Sequence, residues 1–346
     1  MSEIGKSLYG LQKIGASLGY ASQFLLANVL LGRRPPKELE NRLPGPEIVW
    51  AEIKELFANE YEEFSKRGLK LPDPEWGDYV RKVNQIAQSL IDIPKVKKRQ
   101  AEKNVQDVPM EGLRSDLPNY YTQNFHFQSD GWFSDKSADI YDHQVEVLFA
   151  GCGQSMRRSV LPILDDEMSL AKIQGKTIED MKFLDVACGT ASLAKEFKHN
   201  WPNASLTLLD ASAPYLKKAR SVLSDYPRCD FVEALAEEMP FKDDSFDSSY
   251  CIFLFHELPE RIRYKVAHEI YRVTKTGGCF VFADSIQKDD KPYLNASLEL
   301  FPVNYHEPYY LQYIESDLRQ YFPENLWKIE TYRTAFYTKA VAFRKL

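Results

Sequence analysis

Cysteine and histidine are scarce in this 346-residue chain, and neither occurs in a recognisable motif. The five cysteines form no CxxC pair, and the six histidines include no HExxH pattern. We therefore expect no disulfide framework, no zinc ribbon and no metal site built from neighbouring ligands. The corresponding prediction is a reducing, cytoplasmic location. The cysteines are Cys152, Cys188, Cys229, Cys251 and Cys279.

The chain also lacks an excess of positive charge. Lysine and arginine total 44 against 50 acidic residues, which gives a net charge of -6. A nucleic-acid partner is therefore not expected, because such proteins usually show a strong basic excess. Hydrophobic residues make up 44% of the chain and aromatic residues 13%, enough for a sizeable core.

Residues 14–31 carry no charge and precede Arg33 and Arg34, but they are not a typical transmembrane segment. Six glycine, serine, glutamine and asparagine residues make the stretch too polar and too short to span a bilayer. The favoured prediction is a helix that packs on the rest of the protein through Ile14, Leu18, Ala21, Leu25 and Val29. Two alternatives remain: peripheral contact with anionic lipid through residues 6–34, and a cleaved organelle-targeting peptide.

The chain divides near residue 115. Residues 1–115 read as a helical domain, with one helix from Pro46 to Gly68 and a second apolar stripe from Val80 that ends near Pro94. A polar connection over residues 105–118 leads into the second domain, residues 116–346. Its first helices are predicted at about 138–150 and 154–166.

The second domain alternates short apolar runs with amphipathic stretches, which predicts an α/β fold with a parallel sheet covered on both faces. The last two runs, LWKIETYRTAF and TKAVAFRKL, leave no room for a crossover helix, so they predict an antiparallel hairpin at the sheet edge. The predicted strands are 182–187, 205–210, 229–234, 246–255 and 278–284, and the predicted helices are 191–200, 213–225 and 259–273.

The turn after the first strand, LDVACGTAS (184–192), has small residues that let the backbone approach a ligand closely. Asp210 follows Gly189 by 21 residues, at the end of the second strand, where it is placed to accept hydrogen bonds from ribose hydroxyls. A dinucleotide-binding domain shares this layout, but its GxGxxG pattern would need glycines at Ala187 and Ser192 as well as at Gly189.

These motifs, followed in order by LTLLDAS (206–212), AEEMPFKDDSFD (236–247) and VAHEIYRVTKTGGCFVFAD (266–284), resemble class I S-adenosylmethionine-dependent methyltransferases of the ubiquinone/menaquinone branch. The resemblance covers roughly residues 120–346. It implies a Rossmann-like methyltransferase sheet with S-adenosylmethionine as the cofactor. Leu235 departs from the pattern, because many relatives place an aspartate there for the adenine amino group.

The resemblance also implies roles for individual residues. The backbone of Ala187, Cys188 and Gly189 would meet the methionine portion, and Asp185 would lie near its amino group. Asp210, with Ala211 and Ser212 beside it, would bind ribose. The adenine would lie near Ala236 and Glu237, and the sulfonium would lie between Phe253 and Phe255.

The acceptor is expected to be a small organic molecule, aromatic or lipophilic, because aromatic side chains recur in two predicted covering segments. The first is a lid at 116–137 and the second is a substrate-covering segment at 285–322. Their candidate substrate residues are Tyr120, Tyr121, His126, Trp132, Tyr305, Tyr309, Tyr310 and Tyr313. His256 and His306 are the candidate catalytic bases. A protein methyltransferase and a methyltransferase-fold binding protein without turnover remain alternatives, and the sequence leaves the methylated atom and the oligomeric state open.

Overall fold

The computed structural model describes residues 3–72, 79–109 and 117–346. In these residues seven strands form one sheet with the order β3-β2-β1-β4-β5-β7-β6. The first five strands pair in parallel, whereas β7 pairs antiparallel with both β5 and β6. The strands are β1 (Lys182–Val186), β2 (Ser205–Asp210), β3 (Cys229–Glu233), β4 (Phe246–Ile252), β5 (Thr274–Ser285), β6 (Trp327–Ala335) and β7 (Thr338–Lys345).

Helices cover both faces of this sheet, so alternate side chains of one strand enter different cores. Leu184 and Val186 of β1 join a core with the helix Glu260–Val273, whereas Phe183 joins the opposite core. The described helices are α1 (Glu3–Leu31), α2 (Lys37–Glu40), α3 (Pro46–Arg67), α4 (Tyr79–Glu102), α5 (Asp135–Leu148), α6 (Gly153–Arg158), α7 (Leu161–Ile173), α8 (Ser192–Asn200), α9 (Ala213–Val222), α10 (Glu260–Val273), α11 (Asn295–Asn304) and α12 (Tyr310–Glu315).

The predicted α/β fold and the C-terminal hairpin are confirmed, and the strand boundaries differ by more than one residue in two places. Strand β4 ends at Ile252 rather than at residue 255, because Phe253 adopts a left-handed φ of 56° that an extended strand cannot contain. Strand β5 begins at Thr274, four residues earlier than expected, directly after α10.

The helical region before the sheet is also present. Helix α3 begins at Pro46 and ends before Gly68, whose φ of 71° closes it as expected. Helix α4, however, continues through Pro94 to Glu102. A proline removes one backbone hydrogen bond and need not end a helix, and Arg99 anchors the last turn by donating from Nε to the Phe127 carbonyl at 2.9 Å. The predicted domain boundary at 115 and the Val80 side chain lie outside the described residues, and the two-domain division stays a prediction.

The first helix packs on the rest of the protein as predicted, and Ile14 contacts a core, but three of the five residues predicted to face inward do not. Leu18, Leu25 and Val29, expected to pack inward, are 55%, 64% and 76% exposed. The opposite face is held to the protein instead: Tyr9 donates to Glu60 at 2.6 Å, and Ser17 is fully buried. By length and composition, α1 is the one helix in the described part of the chain that would suffice to cross a membrane, over Ile4–Leu31.

Candidate active site

A cavity opens at the carboxyl ends of β1, β2, β3 and β4, where parallel α/β sheets bind their ligands. We call it the edge cavity. Its sheet side is formed by Ala187, Gly189, Leu209, Asp210, Ala211, Ser212, Ala234, Leu235, Ala236, Glu237, Ile252, Phe253 and Leu254. Its other side is formed by Tyr120, Tyr121, Trp132, Tyr141, Tyr215, Glu257 and Leu258.

The turn after β1 uses the left-handed backbone region three times. Ala187, Gly189 and Ala191 have φ values of 58°, 55° and 65°. Residues with a Cβ atom pay roughly 1–2 kcal/mol for this conformation. Two alanines adopt this conformation here, in a turn that leads directly into α8, whose first residue is Ser192.

Asp210 joins this turn to the end of β2. Its carboxylate accepts from the Gly189 amide and from the Ser212 amide, both at 2.8 Å. Burial raises the pKa of Asp210 to about 6, although these backbone donors oppose the shift. The residue is therefore both a structural cap and part of the cavity wall.

A smaller compartment continues from the edge cavity and shares Tyr141, Ala187, Gly189 and Phe253 with it. Asp185 and Cys188 line this compartment. Burial raises the pKa of Asp185 to about 8, which favours its neutral carboxyl form near pH 7.

Arg157 of α6 also lines the smaller compartment and is 5% exposed. Its Nη1 atom has no hydrogen-bond partner, and the nearest carboxylate oxygen recorded for it, from Asp142, is 3.9 Å away. A buried guanidinium nitrogen without a hydrogen-bond partner is costly, and a guanidinium is the donor group that best fits a carboxylate. Arg157 and Asp185 both line the compartment, so it offers a cation and an acid for the two charged groups of an amino acid.

Comparison with known proteins agrees with this geometry. Residues 183–278 match the family model described as a methyltransferase domain. The ubiquinone/menaquinone biosynthesis C-methyltransferase UbiE of Bartonella quintana is 29% identical over 168 residues, which cover 47% of this chain and 60% of that protein.

Two further relatives extend the comparison. The demethylmenaquinone methyltransferase of Chlorobaculum tepidum is 31% identical over 42% of this chain and 54% of that protein. The sterol 4-C-methyltransferase strm-1 of Caenorhabditis elegans is 32% identical over 32% of this chain and 33% of that protein. The chain has a class I S-adenosylmethionine-dependent methyltransferase domain. Its cofactor is S-adenosylmethionine, and the matches span less than two thirds of each of these relatives.

The methyltransferase domain has most of its predicted cofactor residues together. Eight line the edge cavity (Ala187, Gly189, Asp210, Ala211, Ser212, Ala236, Glu237 and Phe253), and Asp185 and Cys188 line the smaller compartment. Phe255 is the exception, because it is fully buried in the core against Phe282 and Phe322. The chain leaves β4 at Ile252, so the two-residue alternation that would align Phe255 with Phe253 no longer applies.

The segment predicted to be a lid is tied to the cavity at two points. Tyr120 donates its hydroxyl to Glu237, and the Trp132 carbonyl accepts from the Ser212 hydroxyl at 2.5 Å. The Trp132 ring packs edge-on against Tyr141 and Tyr215, with centroids 5.5 and 5.6 Å apart. These contacts form an aromatic roof over the edge cavity.

The other predicted substrate residues separate into two places. His126 and Tyr305 line a different cavity, between the N-terminal helices and α5. Tyr310 and Tyr313 are buried beside His256 and hydrogen-bond to Ser285 at 2.7 and 2.6 Å. Tyr309 packs between the sheet core and a cluster that contains Phe125 and Trp132.

The two candidate bases occupy different environments. His256 Nδ1 lies 2.5 Å from Oδ1 of Asp284. Burial alone would lower the pKa of His256, but Asp284, Glu257 and Glu307 outweigh it and raise the pKa to about 9. His306 Nε2 lies 2.6 Å from Oε1 of Gln123, and burial lowers its pKa. Neither histidine is part of the edge-cavity wall.

Sequence reasoning missed three residues that line the methyltransferase site: Arg157, Tyr141 and Glu257. Two of them lie on helices upstream of the sheet, in no motif. One signal in the sequence could have indicated Arg157. The pair Arg157-Arg158 stands in a stretch otherwise suited to burial, and buried arginines require partners. Glu257 was visible only as a neighbour of His256.

Proposed function

We propose that this protein transfers the methyl group of S-adenosylmethionine to a small aromatic or lipophilic acceptor. The observation that carries the proposal is the aromatic roof of Tyr120, Tyr121, Trp132 and Tyr141 over the edge cavity. Ring faces of this kind bind flat apolar molecules well. A roofed cavity also disfavours a protein acceptor, which would need an open groove.

The chain's own residues would hold the cofactor by its two ends. Arg157 supplies a guanidinium for the carboxylate and Asp185 an acid for the ammonium group of the methionine portion. Asp210 is fixed by two backbone donors in the position expected for ribose. Ala236 and Glu237 flank the adenine side, where Leu235 leaves shape and backbone to replace the missing aspartate.

When bound, the cofactor supplies an electrophilic methyl group on a sulfonium. The protein then has to align the acceptor and receive a proton from it. Glu257 is suited to the second task because it lines the edge cavity, and burial, followed by the neighbouring Glu307, raises its pKa well above the usual range. A raised pKa makes the ionised carboxylate a stronger base, and the neighbouring His256 favours that ionised form.

His256 would act through Glu257 rather than directly. Its Nε2 atom lies 3.9 Å from Oε1 of Glu257, and Asp284 binds its other ring nitrogen. We infer that Asp284 orients the imidazole and that the imidazole stabilises charge on Glu257. His256 is then a positioning residue, while a catalytic role for His306 stays a prediction.

The relatives narrow the acceptor class. Their names describe a C-methyltransferase of ubiquinone/menaquinone biosynthesis, a demethylmenaquinone methyltransferase and a sterol 4-C-methyltransferase. We propose a ring-containing acceptor methylated at carbon, with Glu257 taking the proton. The five cysteines are free in the structure, which supports the proposal of a reducing, cytoplasmic location.

Calorimetric titration with S-adenosylmethionine and S-adenosylhomocysteine tests the proposal first. We expect the wild type to bind both, Asp210→Ala to bind at least ~10-fold more weakly, and the exposed control Asp225→Ala to bind as the wild type does. Formation of S-adenosylhomocysteine with hydroxylated aromatic acceptors then tests turnover. Cofactor binding without turnover on any acceptor would favour the alternative of a binding protein, and absence of both would contradict the proposal.

A further inference from the structure

Helix α1 turns its apolar face away from the protein. Ile4, Leu8, Leu11, Leu18, Leu25 and Val29 are each more than half exposed. They recur at steps of three, four or seven residues and therefore form one continuous stripe along 29 residues of helix. A soluble surface helix normally has the reverse arrangement, with its apolar stripe facing the core.

Helix α4 extends this apolar surface. Lys97 Nζ donates to the Leu30 carbonyl at 3.1 Å, which joins α4 to the end of α1. Beside this contact, Val83, Leu90 and Ile91 of α4 are 62%, 41% and 66% exposed. The two helices together present an apolar patch that the described residues leave uncovered, and we call it the outer patch.

Positive charge borders the outer patch. Helix α4 contains six basic and two acidic residues, although the whole chain has a net charge of -6. Lys95 and Lys98 are exposed and follow Ile91 by one and two turns on the same helix face. Arg34 and Lys37 are exposed just beyond the end of α1. An apolar surface with a cationic rim matches a bilayer that contains anionic lipid.

An apolar groove leads inward from the outer patch. It lies between α1, α4 and α5 and has a volume of about 190 Å³. Leu26 and Leu90 belong both to its wall and to the exposed surface, so the groove opens on the patch. Phe24, Ile93, Val145 and Leu148 continue the wall.

The inner end of the groove reaches the methyltransferase site. Tyr141 lines the groove and also lines both compartments of the site, so its side chain belongs to the walls of all three spaces. His126 and Tyr305, predicted as substrate residues, also line the groove.

We propose that α1 and α4 lie on an anionic membrane surface through the outer patch and that the groove admits the apolar tail of the acceptor from that membrane. The inference rests on the proposed function, because it assumes a lipid-soluble acceptor. Helix α1 lies on the membrane and does not cross it, since Tyr9 and Ser17 fix its other face to the protein. A second copy of the chain is a poorer occupant, because a symmetric contact would bring the basic rims of the two patches together.

Flotation with lipid vesicles tests the membrane contact without reference to activity. We expect the wild type to float with phosphatidylcholine vesicles that contain phosphatidylglycerol and to float much less with phosphatidylcholine alone. Leu25→Glu with Val29→Glu should lower the bound fraction at least ~10-fold, and Lys95→Gln with Lys98→Gln should remove the preference for anionic lipid. The matched control Ile173→Glu changes a residue that is 83% exposed on α7, and it should float as the wild type does.

Binding of octylphenol and cresol tests the groove. Ser89→Phe adds a ring to the groove wall and should weaken octylphenol binding ~10-fold or more, while binding of tail-free cresol and of S-adenosylhomocysteine stays unchanged. Equal loss of both phenols would overturn the groove assignment. Equal flotation of the wild type and the α1 variant would overturn the membrane assignment. So would a wild type that forms a dimer and binds no vesicles, if the α1 variant is a monomer. If the wild type neither bound the cofactor nor turned it over, that result would contradict the proposed function instead.

Discussion

The edge cavity and helix α1 depart from the normal distribution of residues in opposite directions. In the smaller compartment that continues from the edge cavity, Asp185 and Arg157 are ionisable residues that are 4% and 5% exposed. On α1, Leu25 and Val29 are apolar residues that are 64% and 76% exposed. Each arrangement costs free energy in an isolated, empty protein. Both costs are understandable if a ligand pairs the buried charges and a membrane covers the apolar face, and the following experiments test that comparison.

Loss of the proton acceptor should have the largest effect. We expect Glu257→Gln to lower turnover about 10²–10⁴-fold, because the amide cannot take a proton, while calorimetric cofactor affinity changes little. Glu260→Gln, at the first turn of α10 and outside the edge cavity, is the matched control. Normal turnover of Glu257→Gln would assign the proton to another group.

Truncation of one leucine in each region should separate a structural apolar residue from an exposed one. Leu184→Ala, in a fully buried strand, should lower the free energy of unfolding by ~2–5 kcal/mol. Leu18→Ala on α1 should lower it by less than ~0.5 kcal/mol, because its side chain is 55% exposed. Denaturant unfolding measures both values, and a comparable loss for Leu18→Ala would show that the outward face of α1 is covered within the protein.

Removal of the buried guanidinium should weaken cofactor binding about 10–100-fold, as expected for a lost hydrogen bond between charged groups. Arg157→Met keeps the apolar stem that packs near Tyr141 and Phe253. Methylthioadenosine, which has no amino-acid carboxylate, should bind the variant and the wild type equally. Equal weakening for both ligands would mean that Arg157 shapes the cavity and does not bind the carboxylate.

The buried acid should give an effect on stability that depends on pH. Burial raises the pKa of Asp185 from 3.8 to about 8, so the folded protein binds a proton that the unfolded chain releases between those values. The stability from Asp185 is therefore full below pH 4 and declines as the pH rises towards 8. We expect the melting temperature of Asp185→Asn to increase relative to that of the wild type as the pH is raised from 5 to 8, with both proteins measured without cofactor. A constant difference across this range would contradict a raised pKa.

The sheet could be predicted from the sequence because its central strands are buried on both faces. For a strand such as β1, a prediction need not decide which side chains face inward, because Phe183 and Leu184 both enter a core. The same reasoning failed for α1, because periodicity states which residues share a face and not where that face points. Two element boundaries were predicted wrongly, at Pro94 and at Phe253. Tertiary contacts kept α4 helical beyond Pro94, and the left-handed backbone of Phe253 ended β4 early.

The cofactor half of the site could be predicted from adjacent residues, such as those around Asp210. Arg157, Tyr141 and Glu257 could not, because they come from separate elements that only the folded chain brings together. The aromatic residues of the second covering segment were predicted to contact the substrate. Their division between the groove at Tyr305 and the core at Tyr310 and Tyr313 depends on packing that no local pattern contains.

The position of β7 has a consequence for synthesis of the protein. This strand, Thr338–Lys345, lies between β5 and β6 and supplies the hydrogen bonds for one side of each. While the ribosome still holds it, β5 has an open apolar edge that can pair with other chains. Nascent chains of this protein should therefore need chaperone protection until residue 345 has emerged, and expression at a lower temperature should favour the soluble form.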